Sequence, residues 1–194
     1  GSKHLLEHDG RRILVDCGLF QGLKNLRELN WAKLPVDPAS IDAVVLTHAH
    51  LDHSGYLPKL VRDGFRGPIV STRATREVAE LILKDSGHLQ EKDAEYANRK
   101  GFSKHKPALP LYGLRDAERA MEFFSPVATH TPIDLAAGAR LTLRRAGHIL
   151  GAATAEIEWG GRRVVFSGDL GRYDDPVMVD PELVPQADYL VVES

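Results

Sequence analysis

The chain has 194 residues, with 25 Lys and Arg against 27 Asp and Glu, and a formal charge of −2. Its 43% of hydrophobic residues exclude a disordered chain, and no apolar run reaches the roughly 20 residues of a membrane helix. Because the charge is near neutral, nucleic-acid binding would have to rest on a local site. The N-terminus has no apolar signal segment, and the single cysteine, Cys17, fits a reducing compartment, so we expect a cytoplasmic protein without a membrane partner.

The first third of the chain is predicted to mix strands with helices. Four short apolar runs predict strands: residues 3–8, 11–16, 41–47 and 69–71. Two segments with apolar residues at helical spacing predict helices: residues 55–63 and 74–84. The dipeptide Asp9-Gly10 favours a tight turn, so the first two strands are predicted to form a hairpin. Thr72 or Thr75 is predicted to cap the second helix.

Residues 85–125 differ from the rest because they are polar, charged and mostly of helical pattern, broken near Gly101 and by two prolines. We interpret them as a helical insertion or lid. Strands return afterwards, at residues 140–146, 152–159, 162–167 and 187–193. The pair Gly160-Gly161 predicts a two-residue hairpin turn between two of them.

The densest chemical signal is residues 47–53 (THAHLDH), at the end of the strand predicted over 41–47. His48 and His50 are two residues apart and are expected to converge on one cation, while Asp52 and His53 point at a second. Imidazole and carboxylate donors match zinc best, with iron and manganese as alternatives. The other interpretation is a histidine-rich surface turn, but sites in α/β folds usually lie at strand ends, which favours a metal site.

Four further residues at strand ends are candidates for the same site. His148 lies in a glycine-flanked segment (GHILG, 147–151), and Asp169 follows Gly168 at the end of a hairpin strand, where its carboxylate can bridge two cations. A solvated loop histidine and a turn-forming aspartate are the alternatives for these two. Asp16 and Glu193 are interpreted as carboxylates that orient metal-bound histidines rather than bind metal.

These motifs resemble the metallo-β-lactamase superfamily, through HAHLDH (48–53) followed in order by His148 and Asp169. The segments around them resemble the β-CASP branch of RNA-processing nucleases: LVDCG (14–18), FQG (20–22), GHILGA (147–152), FSGDLG (166–171) and VVES (191–194). The fold implied is an α/β fold, the αββα sandwich of that family. We expect residues 1–194 to form the N-terminal portion of this domain, lacking its first strand, its C-terminal portion and the β-CASP domain.

The resemblance implies two Zn²⁺ ions, with Mn²⁺ or iron as alternatives. His48, His50 and His148 would hold one ion, and Asp52, His53 and Asp169 the second, with Asp169 shared. The residues implied to act in catalysis are Asp52, His148, Asp169 and Glu193. Asp16 and Glu193 would support the site from outside the ligand set, and Glu193 would orient a histidine outside this chain.

The activity implied is that of a ribonuclease, acting as an endonuclease or exonuclease, in which a hydroxide activated by two zinc ions cleaves RNA to leave 3′-hydroxyl and 5′-phosphate ends. We expect the 194-residue chain alone to be weak or inactive. The alternatives are a hydrolase of a small thioester or ester, and a non-catalytic scaffold. RNA and a second copy of the chain are the expected partners. Basic residues interleaved with an aromatic are the candidate RNA contacts, unless they form a solvated loop: Arg99, Lys100, Phe102, Lys104 and Lys106.

Overall fold

A computed structural model describes residues 1–135 and 138–193, which form two five-stranded sheets and five α-helices. The strands are β1 (His4–His8), β2 (Arg11–Val15), β3 (Ala43–Val45), β4 (Ile69–Thr72), β5 (Phe124–Val127), β6 (Ile133–Asp134), β7 (Arg140–Arg145), β8 (Ala153–Trp159), β9 (Arg162–Phe166) and β10 (Tyr189–Val191). The helices are α1 (Lys24–Glu28), α2 (Leu51–Ser54), α3 (Leu57–Arg62), α4 (Arg73–Lys100) and α5 (Leu114–Met121). Short 3-10 turns occupy Leu29–Trp31 and Pro38–Ser40.

The first sheet has the order β1-β2-β3-β4-β5. The predicted hairpin of β1 and β2 is confirmed: the strands pair antiparallel, and Asp9 and Gly10 turn the chain with φ angles of 49° and 73°. Strands β2 to β5 pair in parallel, so the carboxyl ends of β2, β3 and β4 lie at one edge of the sheet. The strand predicted over 41–47 is shorter in the structure, because only Ala43–Val45 pair regularly with their neighbours.

The second sheet has the order β10-β9-β8-β7-β6 and packs against the first. The molecule has two hydrophobic cores, one on each face of the first sheet, and the side chains of β2 alternate between them. Ile13 and Val15 face the second sheet, whereas Leu14 faces the helices. The described residues after Met121 form no α-helix, so the architecture is three layers, helix on sheet on sheet. This confirms the α/β class and matches three of the four layers of the predicted sandwich.

Helix α4 has 28 residues, so the prediction that it ends at residue 84 is wrong. The helix continues through Gly87, which packs against the backbone of Gly113, and ends where Gly101 adopts a left-handed φ of 69°. The helical character predicted for 85–125 is present in α4 and α5, which form the crossover between the adjacent parallel strands β4 and β5. No structural break occurs at residue 85, and an insertion at 85–125 stays a prediction.

The hairpin predicted around Gly160-Gly161 is confirmed between β8 and β9, with both glycines at positive φ (57° and 73°). Strand β10 pairs in parallel with β9 and is shorter than the predicted 187–193. Among the described residues, no helix is both long and apolar enough to cross a bilayer.

Candidate metal centre

The candidate ligands lie where the two sheets meet. His48, His50 and Asp52 follow β3 in the first sheet, while His148 follows β7 and Asp169 follows β9 in the second. Two contacts join the sheets at this point: the Ala153 amide donates to the Thr47 carbonyl at 2.9 Å, and Gly168 packs on the Thr47 side chain. A Cβ at Gly168 would lie 2.8 Å from that side chain, so glycine is required for the close approach.

Where the two sheets meet, four side chains present ligand atoms within 4.8 Å of one another: His48, His50, His148 and Asp169. His50 Nδ1 lies 3.2 Å from both His48 Nε2 and His148 Nε2. Tetrahedral zinc with Zn–N bonds of about 2.0–2.1 Å places its ligand nitrogens roughly 3.3 Å apart. His50 therefore lies at the spacing of zinc ligands from each of the other two imidazoles.

Asp169 contacts two groups of candidate ligands, one with each of its carboxylate oxygens. Its Oδ2 lies 3.3 Å from His148 Nε2 and 3.5 Å from His48 Nε2, whereas its Oδ1 lies 3.3 Å from His53 Nε2. Asp52 Oδ2 is 3.9 Å from the same His53 nitrogen. The structure thus brings together all six predicted ligands, with one carboxylate between the two groups.

Burial favours the neutral form of two imidazoles of the first group, His48 and His148. Burial, together with neighbouring imidazoles, lowers the pKa of His48 to about 2. Burial also lowers the pKa of His148, partly opposed by Asp169. These two imidazoles are therefore neutral at neutral pH, which is the form that coordinates a metal.

Asp16 lies outside the candidate ligand group and contacts one member of it, His53, so its predicted role as an orienting carboxylate stays a prediction. It is buried, has a φ of 57°, and accepts hydrogen bonds from the Thr47 amide (2.8 Å), Thr47 Oγ1 (2.8 Å) and His53 Nδ1 (2.9 Å). Burial acts to lower the pKa of His53, but the hydrogen bond and charge of Asp16 raise it overall. The bond also leaves His53 Nε2 directed at Asp169 and Asp52.

Thr47 is the functional residue that the sequence reasoning missed. Its Oγ1, which donates to Asp16, lies 3.2 Å from His48 Nδ1 and can accept the proton of that nitrogen. His48 Nε2 is then the unprotonated atom and faces His50 and Asp169. The signal available in the sequence was a hydroxyl residue directly before the first histidine of the cluster.

Glu193 lies beside the site but not among the ligands. It accepts a hydrogen bond from Ser2 Oγ, lies 3.7 Å from His4 Nε2, and its amide donates to Ser167 Oγ at 3.1 Å. Glu193 therefore connects the end of the second sheet to the start of the first. Its partner Ser167 lies two residues before Asp169 in the chain.

The predicted RNA contacts are not brought to the metal ligands. The start of α4 touches the histidine-bearing loop, because Thr72 Oγ1 and Thr75 Oγ1 both donate to the Gly151 carbonyl. A helix of 28 residues is about 40 Å long, so Arg99 and Lys100 lie at the opposite end. There the Arg99 guanidinium is 5.5 Å from the Tyr96 ring, and Phe102 is 5.9 Å from it and 66% exposed. Lys104 and Lys106 follow in the same exposed loop.

Comparison with known proteins agrees with this geometry. Residues 4–192 match the model of the "Metallo-beta-lactamase superfamily". The chain is 40% identical over 194 residues to Ribonuclease TTHA0252 of Thermus thermophilus, which covers all of this chain and 40% of that relative. It is 32% identical over 188 residues to Transcription termination factor FttA of Methanococcus maripaludis (94% of this chain, 27% of the relative). It is also 32% identical over 192 residues to Cleavage and polyadenylation specificity factor 73 of Drosophila melanogaster (98% and 26%).

Solved structures show the same fold. A metallo-β-lactamase of Cronobacter sakazakii superposes with a TM-score of 0.51 at 19% identity, over 90% of this chain and 58% of the other. The metallo-β-lactamase fold protein YhfI of Bacillus subtilis gives a TM-score of 0.50 at 19% identity, over 89% and 56%. The chain spans between a quarter and two fifths of the curated relatives named above. The family predicted from the motifs is confirmed: the chain belongs to the metallo-β-lactamase superfamily.

Proposed function

We propose that this chain carries the metal-binding half of a ribonuclease that hydrolyses RNA phosphodiesters and leaves 3′-hydroxyl and 5′-phosphate ends. The observation that carries the proposal is the joined ligand set, in which Asp169 faces both His48 with His148 and His53 with Asp52. Support for RNA as the substrate comes from the relatives, one of which is named a ribonuclease.

Two zinc ions fit the donors of this site, and Mn²⁺ or iron match the same donor set less well. Such ions supply Lewis-acid activation of a water and of the phosphodiester. Asp52 is 49% exposed at the open side of the site and is assigned to hold the attacking water or take its proton. Asp16 and Thr47 keep His53 and His48 in the tautomers that leave Nε2 free.

Glu193 is assigned to orient a group that protonates the leaving oxygen. It borders the site through Ser167 and is 36% exposed, so it is accessible to a residue from another part of the protein. Because the chain spans 40% of its ribonuclease relative, activity is to be measured on the full-length protein. The cytoplasmic location and the homodimer stay predictions.

The test compares cleavage of a single-stranded RNA by the full-length protein with cleavage by two histidine variants. His50→Ala removes the ligand that contacts both other imidazoles, and we expect roughly a hundredfold or larger loss. His88→Ala, at an exposed position of α4, is the control and keeps full activity. Unchanged cleavage by His50→Ala contradicts the proposal, and so does hydrolysis of a thioester by wild type that leaves RNA intact.

A further inference from the structure

Trp31 is a large aromatic residue that remains 58% exposed at the end of the 3-10 turn after α1. It lines three adjoining cavities, on the side of the molecule where α4 passes the α1 segment. The metal site does not use this residue. Packing of the hydrophobic core does not explain why an exposed aromatic ring lines three adjoining cavities.

The first cavity begins at the metal-binding loop. Leu19 and Leu51 line it, and Leu51 lies in sequence between the candidate ligands His50 and Asp52, which do not line the cavity. The Leu19 amide donates to the Leu51 carbonyl at 2.8 Å, which ties the cavity floor to that loop. Ser86 and Gln90 of α4 form the opposite wall.

A buried amide fixes the shape of this floor. Asn30 is 6% exposed, and its side chain accepts from the Phe20 amide at 2.9 Å and donates to the Phe20 carbonyl at 2.8 Å. Phe20 and Trp31 are thereby held on the same groove, one before and one after α1. The groove is a built feature of the fold and not a chance gap between loops.

Beyond Trp31 the groove continues along α4 towards the exposed aromatic residues of the basic segment. Tyr96 and Phe102 line the next cavity with Trp31. Ser86 and Arg99 lie about 20 Å apart along the helix, at 1.5 Å per residue. The groove therefore connects the metal loop with the segment whose basic and aromatic residues lie far from the metal ligands.

The charged residues that line the groove are balanced in sign, so the case for an anionic chain rests on basic residues without an ion pair. Arg27 lines the first cavity, is exposed, and has no ion pair among residues 1–135 and 138–193. Lys24 lies beside it, 3.9 Å from Glu28. Three lysines without an ion pair in the described part of the chain are sequence neighbours of the lining residues at the far end, although they line none of the three cavities themselves: Lys100, Lys104 and Lys106. Glu28 and Asp93 are the acidic residues that line the groove.

We propose that this groove holds a stretch of single-stranded RNA outside the metal centre, with bases stacked on Trp31 and Phe102 and phosphates on Arg27 and on the three lysines beside Phe102. Exposed aromatic rings with unpaired cations nearby are features of proteins that bind single strands without sequence preference. A protein segment would match the rings but leave Arg27 and the lysines without partners. The inference rests on the proposed function and deepens it, by giving the substrate a path outside the catalytic site.

The experiment measures equilibrium binding of a labelled single-stranded RNA of about twelve nucleotides to the full-length protein, in EDTA so that no cleavage occurs. We expect Trp31→Leu to weaken binding roughly tenfold and Trp31→Phe to restore most of it, because phenylalanine keeps a stacking ring. Tyr189→Ala, at an exposed aromatic of the second sheet, is the matched control and binds as wild type. RNA that carries 5-iodouridine is expected to crosslink to Trp31 on irradiation.

Charge is tested separately. Arg27→Glu is expected to weaken binding and lower the dependence of log K on log salt by about 0.7 per lost phosphate contact. Arg119→Glu, the same change at an exposed position of α5 that lines none of these cavities, leaves both unchanged. Thermal unfolding checks that every variant is folded.

Two outcomes overturn the inference. If the wild-type protein cleaves RNA and the Trp31→Leu variant binds RNA as tightly as wild type, the groove does not bind RNA, although the proposed function still stands. A Trp31 that is protected from oxidation in the RNA-free full-length protein shows that a protein segment covers the groove. RNA binding that depends on Trp31, in a protein that cleaves no RNA, supports the groove and contradicts the proposed function instead.

Discussion

The hydrogen bonds of Asp16 fix one member of the second ligand group, His53, to the start of the ligand loop. One carboxylate holds the Thr47 amide, the Thr47 hydroxyl and His53. Its φ of 57° lies in the left-handed region, which asparagine and aspartate tolerate better than other side chains. Replacement by asparagine therefore tests the charge and the acceptor without adding backbone strain.

We expect Asp16→Asn to weaken zinc binding by roughly 10- to 100-fold, because the amide nitrogen cannot accept the His53 proton. Isothermal titration of the metal-free protein measures this change. Asp42→Asn is the control, since Asp42 holds the backbone and side chain of β2 residues far from the ligands. Equal zinc affinity of Asp16→Asn and wild type would contradict the orienting role.

Two buried tyrosines form a matched pair for a test of stability. Tyr56 is 2% exposed, and its hydroxyl finds no hydrogen-bond partner among the described residues, whereas Tyr112 is fully buried and donates to Ser86 Oγ at 2.8 Å. Burial raises the pKa of both phenols to about 12, so both hydroxyls stay protonated.

We expect Tyr56→Phe to leave the free energy of unfolding unchanged or raise it, because it removes a buried polar group without a partner. Tyr112→Phe is expected to lower it by about 1 kcal/mol, since Ser86 loses a donor. Urea denaturation of the two variants gives both values. Similar losses in the two variants would show that the Tyr56 hydroxyl has a partner.

The candidate ligands that the sequence indicated do lie together in the structure, whereas no sequence pattern indicated the groove. His48, His50, Asp52 and His53 follow one another within a short motif at a strand end, so their spacing alone indicates a shared site. Trp31 carries no such signal, because its exposure depends on how α1 packs beside α4. His148 could be predicted as a ligand only together with the histidine cluster at residues 48–53, because a single histidine in a loop is not a signal of metal binding by itself.

Among the secondary-structure elements, helix α4 shows why a local sequence pattern predicted the end of a helix wrongly. The predicted end at residue 84 rests on the polar character of residues 85–125, yet the helix passes through Gly87. Glycine is unfavourable inside a helix by about 1 kcal/mol relative to alanine. Here it is tolerated because the start of α5 packs on it: a Cβ at Gly87 would lie 2.8 Å from the Gly113 backbone. That contact joins residues far apart in sequence and cannot be seen in either segment alone.

We expect Gly87→Ala to lower the free energy of unfolding by about 1–3 kcal/mol, although alanine is the better helix former. The added methyl must push α4 away from the backbone of Gly113. Asp93→Ala, at an exposed position of the same helix, is the comparison and is expected to be neutral or slightly stabilising. Thermal unfolding of both variants measures the effect, and a stabilised Gly87→Ala would show that the two helices have room to separate.

At the scale of the whole molecule, the candidate metal centre links the two sheets. His48 and His50 lie in the loop after β3 of the first sheet and His53 in the helix α2 that follows, whereas His148 and Asp169 lie in loops of the second sheet. A cation bound by both sets stabilises the folded chain over the unfolded one, by about 2.7 kcal/mol at a hundredfold excess over its dissociation constant.

We therefore expect zinc to raise the melting temperature by about 5–10 °C over the EDTA-treated protein. His148→Ala, which removes a ligand from the second sheet, should keep little of this increase. Differential scanning calorimetry with and without zinc measures both. An unchanged melting temperature on zinc addition would mean that the ligands do not hold a cation between the sheets.

The division of the ligands between the two sheets also sets an order of events during synthesis. His148 leaves the ribosome about a hundred residues after His50, a delay of roughly 5–20 s at usual elongation rates. During that interval the nascent chain lacks His148 and Asp169, so the cluster of residues 48–53 is an incomplete ligand set. We expect the site to reach its full affinity for a cation only after residue 169 has been made and the second sheet has docked.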